Sequence, residues 1–566
     1  SRLVGVLRNR LLFAEFGAGR ELDIYYVSFQ IPDFMAALFL LGAASAAVLP
    51  VFQERLLENK RKAQEFIASL VGLFFLGSTA ASAAAFLAVP LAVPYAAPGF
   101  SPQEQALVVS ITRVMLLSPI LFGLSSIFSV VVQTFGRFFV YAAAPILYNL
   151  GIIFGIVFLV PALGIYGLGI GVVAGALLHF GLQFGVAVQI GYPRLSALNL
   201  VWVRMIQFMR YDLVNNFDLV NKFRAGLDQG IRRVVLLSFP RTLAISLHQL
   251  TLLALFAIGS LLAEGSVALF SAAQDLYFVP IGIFGISYAV ALFPRLSEAV
   301  LRRSGDEFLR DLSAGIRSIL FWVAPSAALF LVLRAHIVRV ALGAGQFSWE
   351  DTRLTAALLA VLALAMAAGA AQILLIRGFY ALGNTRLPLV INAVASIGTI
   401  ALAWILTAAL ASGSALSRGI AAVLRIGDLP HPEVLGLGIG FAAGTIINTG
   451  LLYVFLMKEA EEVLGKKPDR GSAAEIVKIV AAALVGAGAG YGVRVSFSET
   501  LPLITFVRVL VQGAASAAAG FAVYCGLLAA LGSREVGILR RGITRRLLSI
   551  GILPKSWDGE DRVTGN

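Results

Sequence analysis

Long apolar segments separated by short polar loops run along the chain from its first residues to Leu531. A helix crosses a bilayer with about 20 apolar residues, and its backbone groups must be satisfied within the segment because lipid offers no partners. We therefore predict an all-α polytopic membrane protein with about 14 transmembrane helices, of which the first has lost its N-terminal half. The predicted segments are Ser1–Phe16, Tyr25–Val51, Gln64–Val93, Gln105–Thr134, Val140–Val160, Ile165–Ile190, Val234–Leu262, Val267–Phe293, Ala314–Val340, Leu354–Ile376, Leu387–Ala411, Val434–Met457, Ile476–Val495 and Leu503–Leu531.

Two short sequence patterns occur twice in the chain, at nearly the same separation. LPVFQE begins at Leu49, and the related FPRLSE begins at Phe293, 244 residues later. PILYN begins at Pro145, and PLVIN begins at Pro388, 243 residues later. Prolines that merely end helices would not share a spacing. An internal duplication, as in transporters built from repeats, is therefore favoured over coincidence.

The composition agrees with a membrane protein and excludes several other classes. The 566 residues are 59% hydrophobic and 13% charged, whereas a soluble domain has about 25% charged residues. The net charge of +13 is expected to face anionic lipid headgroups and not nucleic acid. Because Cys525 is the single cysteine, a disulfide within the chain or a cysteine metal site is impossible. The four histidines lack metal-ligand spacing and no enzyme motif is visible, so we expect no metal or other cofactor.

Basic residues concentrate in the loops that follow even-numbered segments. By the positive-inside rule, these loops and both termini are predicted to be cytoplasmic. The loops after odd-numbered segments are poorer in basic residues, although Arg20, Arg353, Arg418 and Arg425 lie there. The basic residues of the even-numbered loops and the tail include Arg55, Lys60, Arg61, Lys62, Arg137, Arg295, Arg302, Arg303, Arg310, Arg377, Arg386, Lys458, Lys466, Arg540 and Arg541.

Two polar regions outside the segments have amphipathic patterns. The loop Tyr192–Arg233 joins the two repeats, and apolar residues recur in it at helical spacing between Val203 and Val220. We predict a helix there on the cytoplasmic membrane surface, with a disordered linker as the alternative. The tail, residues 532–566, begins with a basic amphipathic stretch that we predict lies on the inner leaflet.

Ionisable residues in or beside the apolar segments are the candidates for chemistry. A charge at bilayer depth costs about 2.5–3.5 kcal/mol on insertion scales, so it usually faces a cavity or a partner. Arginines near the starts of both repeats favour a cavity for an anion, because a guanidinium binds phosphate through two parallel hydrogen bonds. The candidate substrate-binding residues are Arg2, Arg8, Asp23, Arg241, His248, Gln249 and Asp275.

These candidates also have structural interpretations. Arg2 could be a helix-end residue whose side chain reaches the membrane interface, and Arg8 and Asp23 could form a structural ion pair. His248 could be a packed residue, and Arg113 in the fourth segment could serve only to anchor its helix. The cavity interpretation is favoured by the set as a whole.

Short motifs that run in order along nearly the whole chain carry a family resemblance. They include SRLVGVLR from Ser1, FGAG from Phe16, GAAS from Gly42 and RGFYALGNTR from Arg377. As a set they resemble the MurJ (MviN) family of lipid II flippases. The resemblance implies the multidrug/oligosaccharidyl-lipid/polysaccharide exporter superfamily, with two six-helix lobes in a V around a central cavity and two further C-terminal helices. The implied regions are an N-terminal lobe at 1–191, a linker at 192–233, a C-terminal lobe at 234–458, the extra helix pair at 459–531 and the tail at 532–566.

The resemblance also implies a substrate and a location. The substrate is lipid II, an undecaprenyl-pyrophosphate-linked glycopeptide, carried by alternating access from the inner to the outer leaflet of the bacterial cytoplasmic membrane. Membrane lipids are the other expected partners, nucleic acid is not expected, and the protein is expected to be a monomer. The family's helix-one arginines correspond to Arg2 and Arg8, and its helix-two acid corresponds to Asp23.

Four positions depart from the family pattern. Asn9 and Gln274 stand where the family has acids, and Ala36 and Asp275 stand where it has arginines. We expect Arg241 in the seventh segment to replace part of the lost positive charge. The departures bear on how the pyrophosphate is held and leave the fold expectation unchanged.

Two other functions compete with lipid II transport. The first is export of another lipid-linked oligosaccharide or of a drug within the same superfamily, and the second is a non-transporting membrane scaffold. A drug exporter should have an acidic or aromatic cavity, and a scaffold should lose its cavity charges. Arg2, Arg8 and Asp23 therefore favour a flippase over a drug exporter or a scaffold.

Overall fold

The computed structural model describes residues 2–38, 48–192, 246–466, 472–500 and 505–549. Regular structure in these ranges is helical, without a strand. Eleven helical stretches within them are long and apolar enough to cross a membrane. The other three predicted segments fall on shorter helices or run into residues outside the described ranges. The predicted all-α polytopic fold is confirmed, and about 14 helices is compatible with it.

The helices of the first half follow the predicted segments closely. They are α1 Arg2–Phe16, α2 Arg20–Ala36, α3 Leu49–Glu58, α4 Lys60–Ala96, α5 Pro102–Met115, α6 Leu117–Thr134, α7 Phe138–Phe154, α8 Val160–Leu163 and α9 Tyr166–Ile190. A π-helical turn, Gly155–Leu159, joins α7 to α8. All but the first residue of the predicted linker Tyr192–Arg233 lies outside the described residues, and so does Arg241.

The second half contributes a further series of helices. They are α10 Ser246–Ser260, α11 Ser266–Pro280, α12 Ile286–Leu301, α13 Gly305–Leu342, α14 Trp349–Ala381, α15 Arg386–Ala411, α16 Ala415–Leu424, α17 Leu435–Leu464, α18 Ser472–Thr500, α19 Phe506–Ala530 and α20 Arg534–Ser549. A π-helical turn, Ile281–Gly285, joins α11 to α12.

Glycines allow two helix pairs to pack with their backbones in contact. In the α7–α9 pair, Gly151 lies against Gly175 and Gly155 lies against Gly171, so close that a Cβ on either would overlap the facing backbone. In the α18–α19 pair, a Cβ on Gly486 would lie 2.6 Å from the carbonyl oxygen of Gly520. Small residues at such contacts are the usual means of close helix packing in lipid.

The chain divides into two compact units that cut across several helices. The first unit comprises Ser1–Ala272, Ala341–Leu354 and Thr385–Phe441, and the second comprises Ala273–Val340, Thr355–Asn384 and Ala442–Asn566. An apolar core of the first unit gathers around Phe52, Ile67 and Phe128. The lobe, linker and tail boundaries drawn from the sequence stay predictions.

The second unit has its own core between α13, α18 and α19. Tyr524 is fully buried there, and its hydroxyl donates to the backbone oxygen of Phe321 at 2.7 Å. The tail helix α20 is attached to the same core, because Glu535 pairs with Arg317 at 3.2 Å and Val536 packs against the apolar cluster. The extra helix pair and the start of the tail thus form one packed body with α13.

Candidate functional site

Two amide side chains orient Arg8, a half-buried residue in the middle of α1. Its Nε and Nη2 donate to Asn9 Oδ1 at 3.0 and 2.7 Å, and its Nη1 donates to Asn149 Oδ1 of α7 at 3.2 Å. Asn149 is oriented in turn, because its Nδ2 donates to the backbone oxygen of Pro145 at 2.8 Å. Neutral amides direct a guanidinium without themselves cancelling its charge, which suits a site for an anion.

Arg2 supplies a second cation on the same helix. It lies six residues before Arg8, which is about 9 Å along a helix axis. Its side chain is exposed and makes no hydrogen bond or ion pair within the described part of the chain. A ligand or a lipid headgroup can therefore reach it.

Asp23 occupies a different environment from the two arginines. Its carboxylate is fully buried and accepts hydrogen bonds from the backbone N–H groups of Gly265 at 2.7 Å and Ala268 at 2.8 Å, where α11 begins. Arg20 Nη1 lies 3.9 Å away. An acid at this position satisfies N–H groups that have no partner within the helix and complements the helix dipole. Asp23 thus joins the start of α2 to the start of α11.

The possible ion pair between Arg8 and Asp23 is not formed. Arg8 lies eight residues before the end of α1, about 12 Å along its axis, whereas Asp23 lies in the first turn of α2 beyond the connecting turn. Within the described ranges, Asp23 contacts Arg20 and the start of α11 instead. The second half of α1 and the turn between α1 and α2 therefore separate Arg8 from Asp23.

Backbone contacts lie at the end of α1 that faces Asp23 and the start of α11. We call these backbone contacts, together with the two hydrogen bonds that Asp23 accepts, the seam. A Cβ on Gly265 would overlap the backbone of Ala18, and one on Gly345 would overlap that of Ala14. Gly265 and Gly345 also have φ of 84° and 52°, a region that favours glycine. Gln346 N–H donates to the Ala14 oxygen at 2.9 Å. The seam is therefore a dry contact between backbones from both halves of the sequence.

The structure describes three other candidates on α10 and α11. His248 is exposed in α10, Gln249 is half-buried beside it, and Asp275 is exposed on α11 in the second unit. Arg113 donates to the Phe86 oxygen at 3.2 Å, with its guanidinium 4.4 Å from that ring's centroid, as the anchoring interpretation expects. Within the described ranges, no group of three or more His, Cys, Asp and Glu residues could hold a metal ion.

The sequence interpretation missed the two asparagines that hold Arg8. Asn149 closes the repeated PILYN pattern, so a polar residue at a duplicated position of an apolar segment was an available signal. From the sequence, Asn9 is only a departure from the family pattern. In the structure, its Oδ1 accepts hydrogen bonds from the guanidinium of Arg8.

Comparison with known proteins relates this arrangement to a transporter family. A family model described as lipid II flippase MurJ matches residues 13–512. The lipid II flippase MurJ of Burkholderia cenocepacia is 26% identical over 549 residues, which are 96% of each chain. The probable lipid II flippase MurJ of Rhizobium meliloti is 26% identical over 571 residues, covering 99% of this chain and 97% of the relative.

Two solved structures share the fold. A lipid II flippase MurJ in an inward closed conformation superposes with a TM-score of 0.66 at 20% identity, over 94% of this chain and 96% of that one. An inward-facing multidrug resistance MATE family transporter of the MOP superfamily superposes with a TM-score of 0.61 at 11% identity, over 82% and 96%. At these identities the likeness concerns the fold alone.

Proposed function

The chain belongs to the MurJ family of lipid II flippases, because the family model covers residues 13–512 of it, and we propose that it carries lipid II across the bacterial cytoplasmic membrane. The match over nearly the whole chain is the observation that carries this proposal. The protein acts as a multi-pass transporter that makes and breaks no covalent bond. The excess of Lys and Arg in the even-numbered loops supports cytoplasmic termini.

Arg8 is the centre of the proposed substrate site. The pyrophosphate of lipid II is the most highly charged part of the substrate, and a guanidinium binds such oxygens through directed hydrogen bonds. The contacts with Asn9 and Asn149 support this role, since they fix the guanidinium plane before a ligand arrives. Arg2 adds a second positive charge on the same helix, and Arg241 is proposed to add a third.

The seam is the proposed gate at the other end of α1. Moving the headgroup outward requires this end to open, and opening breaks the hydrogen bonds from Gly265 and Ala268 to Asp23. Transport also requires the substrate to bind the two states with different affinity, because equal binding would shift nothing. Asp23 therefore acts on the conformational equilibrium, and Arg8 acts on the substrate.

Growth rescue tests the proposal. Cells depleted of their own lipid II flippase should be rescued by this chain and by its Arg113→Ala variant, which removes an arginine from outside the site. Arg8→Ala should abolish rescue at unchanged protein level, and Arg8→Lys should rescue partly because it keeps the charge and loses the fork geometry. Full rescue by Arg8→Ala would remove Arg8 from the substrate site. Failure of the unaltered chain, inserted at normal level, would contradict the proposed function.

A further inference from the structure

A cleft of about 460 Å³ lies in the first unit, away from α1 and the seam. It is formed where α6 ends, α7 begins and α9 ends. Four apolar side chains and two polar ones line it. They are Phe135, Val140, Val186 and Ile190, with Arg137 and Gln189.

The cleft is built into the fold. Gly136 has a φ of 71°, and the turn around it is closed by a hydrogen bond of 2.9 Å from the Arg137 N–H to the Val132 oxygen. The ring of Phe135 packs against fully buried Tyr192, with 5.4 Å between the ring centroids. The side of the cleft that contains Phe135 and Arg137 is therefore held in place by the backbone turn and by packing against Tyr192.

Within the described ranges, the side chains of the two polar cleft residues make no hydrogen bond or ion pair. The exposed guanidinium of Arg137 makes no hydrogen bond or ion pair with any residue in the described ranges, and the amide of Gln189 makes none either. None of the six described lining residues carries a carboxylate. Among these residues, a positive charge and an amide thus lie beside an apolar wall without a neutralising group.

The cleft lies at the level of lipid headgroups. Three apolar helices end there, at Thr134, Phe138 and Ile190, so the membrane interface passes through this region. Phe138 and Phe139 are 63% and 84% exposed beside the cleft. Exposed apolar rings at the end of a membrane helix favour contact with lipid.

We propose that this cleft binds an anionic phospholipid. Arg137 binds the phosphate, Gln189 hydrogen-bonds the remainder of the headgroup, and the first acyl methylenes pack against Val140, Val186 and Ile190. A zwitterionic headgroup would also place an ammonium group beside Arg137, where no carboxylate can receive it. With the cytoplasmic loop assignment, the lipid belongs to the inner leaflet.

Photocrosslinking of the purified full-length chain tests this site. The probe is a phosphatidylglycerol with a photoreactive group in its acyl chain near the headgroup, and the readout is the yield of adducts in peptides containing residues 135–140 and 186–190. One surface arginine is worth about fivefold in binding an anionic lipid. At half-saturating probe, Arg137→Gln and Gln189→Glu should each lower the yield about fivefold. Gln189→Glu changes no side-chain size and places a carboxylate beside the arginine.

Matched controls decide the outcome. Lys60→Gln removes the same charge at the exposed start of α4, outside the cleft, and should leave the yield unchanged. Unlabelled phosphatidylglycerol should compete, whereas phosphatidylcholine and inorganic phosphate should not. Equal adduct yields in all variants would overturn the lipid site. Competition by inorganic phosphate as strong as by phosphatidylglycerol would reduce the cleft to a simple anion site and would also overturn the proposal.

Discussion

At the scale of single residues, two amide side chains orient the guanidinium of Arg8, the residue proposed to bind the substrate. Two of its hydrogen-bonding partners, Asn9 and Asn149, are neutral amides. A carboxylate at either position would direct the guanidinium equally well but would compete with an anionic ligand for it. The departure from the family pattern at Asn9 is therefore compatible with an anion site centred on Arg8.

Two substitutions at Asn149 distinguish the effect of orienting Arg8 from the effect of a negative charge beside it. Asn149→Ala and Asn149→Asp both lose the hydrogen bond from Asn149 Nδ2 to the Pro145 oxygen, so they share that structural cost. Only Asn149→Asp places a negative charge on Arg8. We expect its lipid II transport to fall at least about tenfold below that of Asn149→Ala, because a competing charged hydrogen bond is worth about 1.5–3 kcal/mol. Equal transport by the two variants, at equal protein level, would contradict the role of Arg8.

We expect the carboxyl of Asp23 to make the seam sensitive to pH. Asp23 precedes the apolar segment that starts at Tyr25, and burial raises its pKa from 3.8 to about 7, against the opposing effect of the Ala268 and Gly265 N–H groups and Arg20. When the seam opens, water restores a pKa nearer the ordinary value. The closed seam therefore binds the proton more tightly, and it loses stability as the pH rises through about 7.

Spin-label distances across the seam measure this effect. Labels at Glu21→Cys and Leu261→Cys, in a Cys525→Ser background, should report a closed-to-open ratio that falls about tenfold from pH 6 to pH 8. Asp23→Asn cannot ionise and should abolish the dependence, while Arg20, Glu104 and Glu264 keep the neighbouring charges in place. A dependence that persists in Asp23→Asn would assign the titration to another group.

The sequence identified the charged residues of the site but not all of their partners. Arg2 and Arg8 stand out because charges in apolar segments are costly, and Asp23 stands out because it lies directly before such a segment. The partners of Asp23 lie 242 and 245 residues away, and backbone N–H groups leave no trace in residue type. The pairing of Asp23 with the start of α11 is therefore visible only in the folded structure.

At the scale of elements, glycine contacts fix the extra helix pair. A Cβ on Gly520 of α19 would lie 2.7 Å from the Gly486 oxygen and 3.0 Å from Leu329 Cδ2, whereas one on Gly526 of the same helix meets no atom within 4 Å. The sequence predicts both helices but does not tell which of these glycines faces the neighbour.

Valine substitutions at these two glycines test the contact. Gly520→Val should destabilise the protein by about 1–3 kcal/mol through overpacking, seen as a lower unfolding temperature in detergent. Gly526→Val makes the same change in open space and should leave the unfolding temperature unchanged or slightly raised. Equal effects of the two substitutions would show that the α18–α19 contact does not depend on Gly520.

The tail illustrates what periodicity can and cannot predict at this scale. The sequence shows a basic amphipathic stretch after residue 532, and the structure has the helix α20 there. Its attachment depends on Glu535, 6% exposed, and Arg317, 15% exposed, which lie 218 residues apart. A pattern of apolar residues predicts that a helix has a buried face, but the pattern alone does not identify the covering element.

At the scale of the whole molecule, the helical fold is predictable because backbone polar groups in lipid must form hydrogen bonds within the protein. Long apolar segments in a bilayer must be helices, so the helical class and the order of the segments follow from hydrophobicity. The division into two compact units does not follow, because α11, α13, α14 and α17 each contribute to both. The division depends on which helix ends pack against each other, as they do at the seam. The order of the segments along the chain does not determine it.

The most direct test of the central claim measures lipid II on the outer leaflet. Cells depleted of their own flippase and supplied with this chain are treated with an external hydrolase that cleaves lipid II, and the cleaved fraction is quantified. We expect the chain to restore cleavage well above the depleted background, and we expect Arg8→Ala, inserted at the same level, not to restore it. A chain that reaches the membrane at the level of the native flippase and leaves lipid II protected from the hydrolase would contradict it.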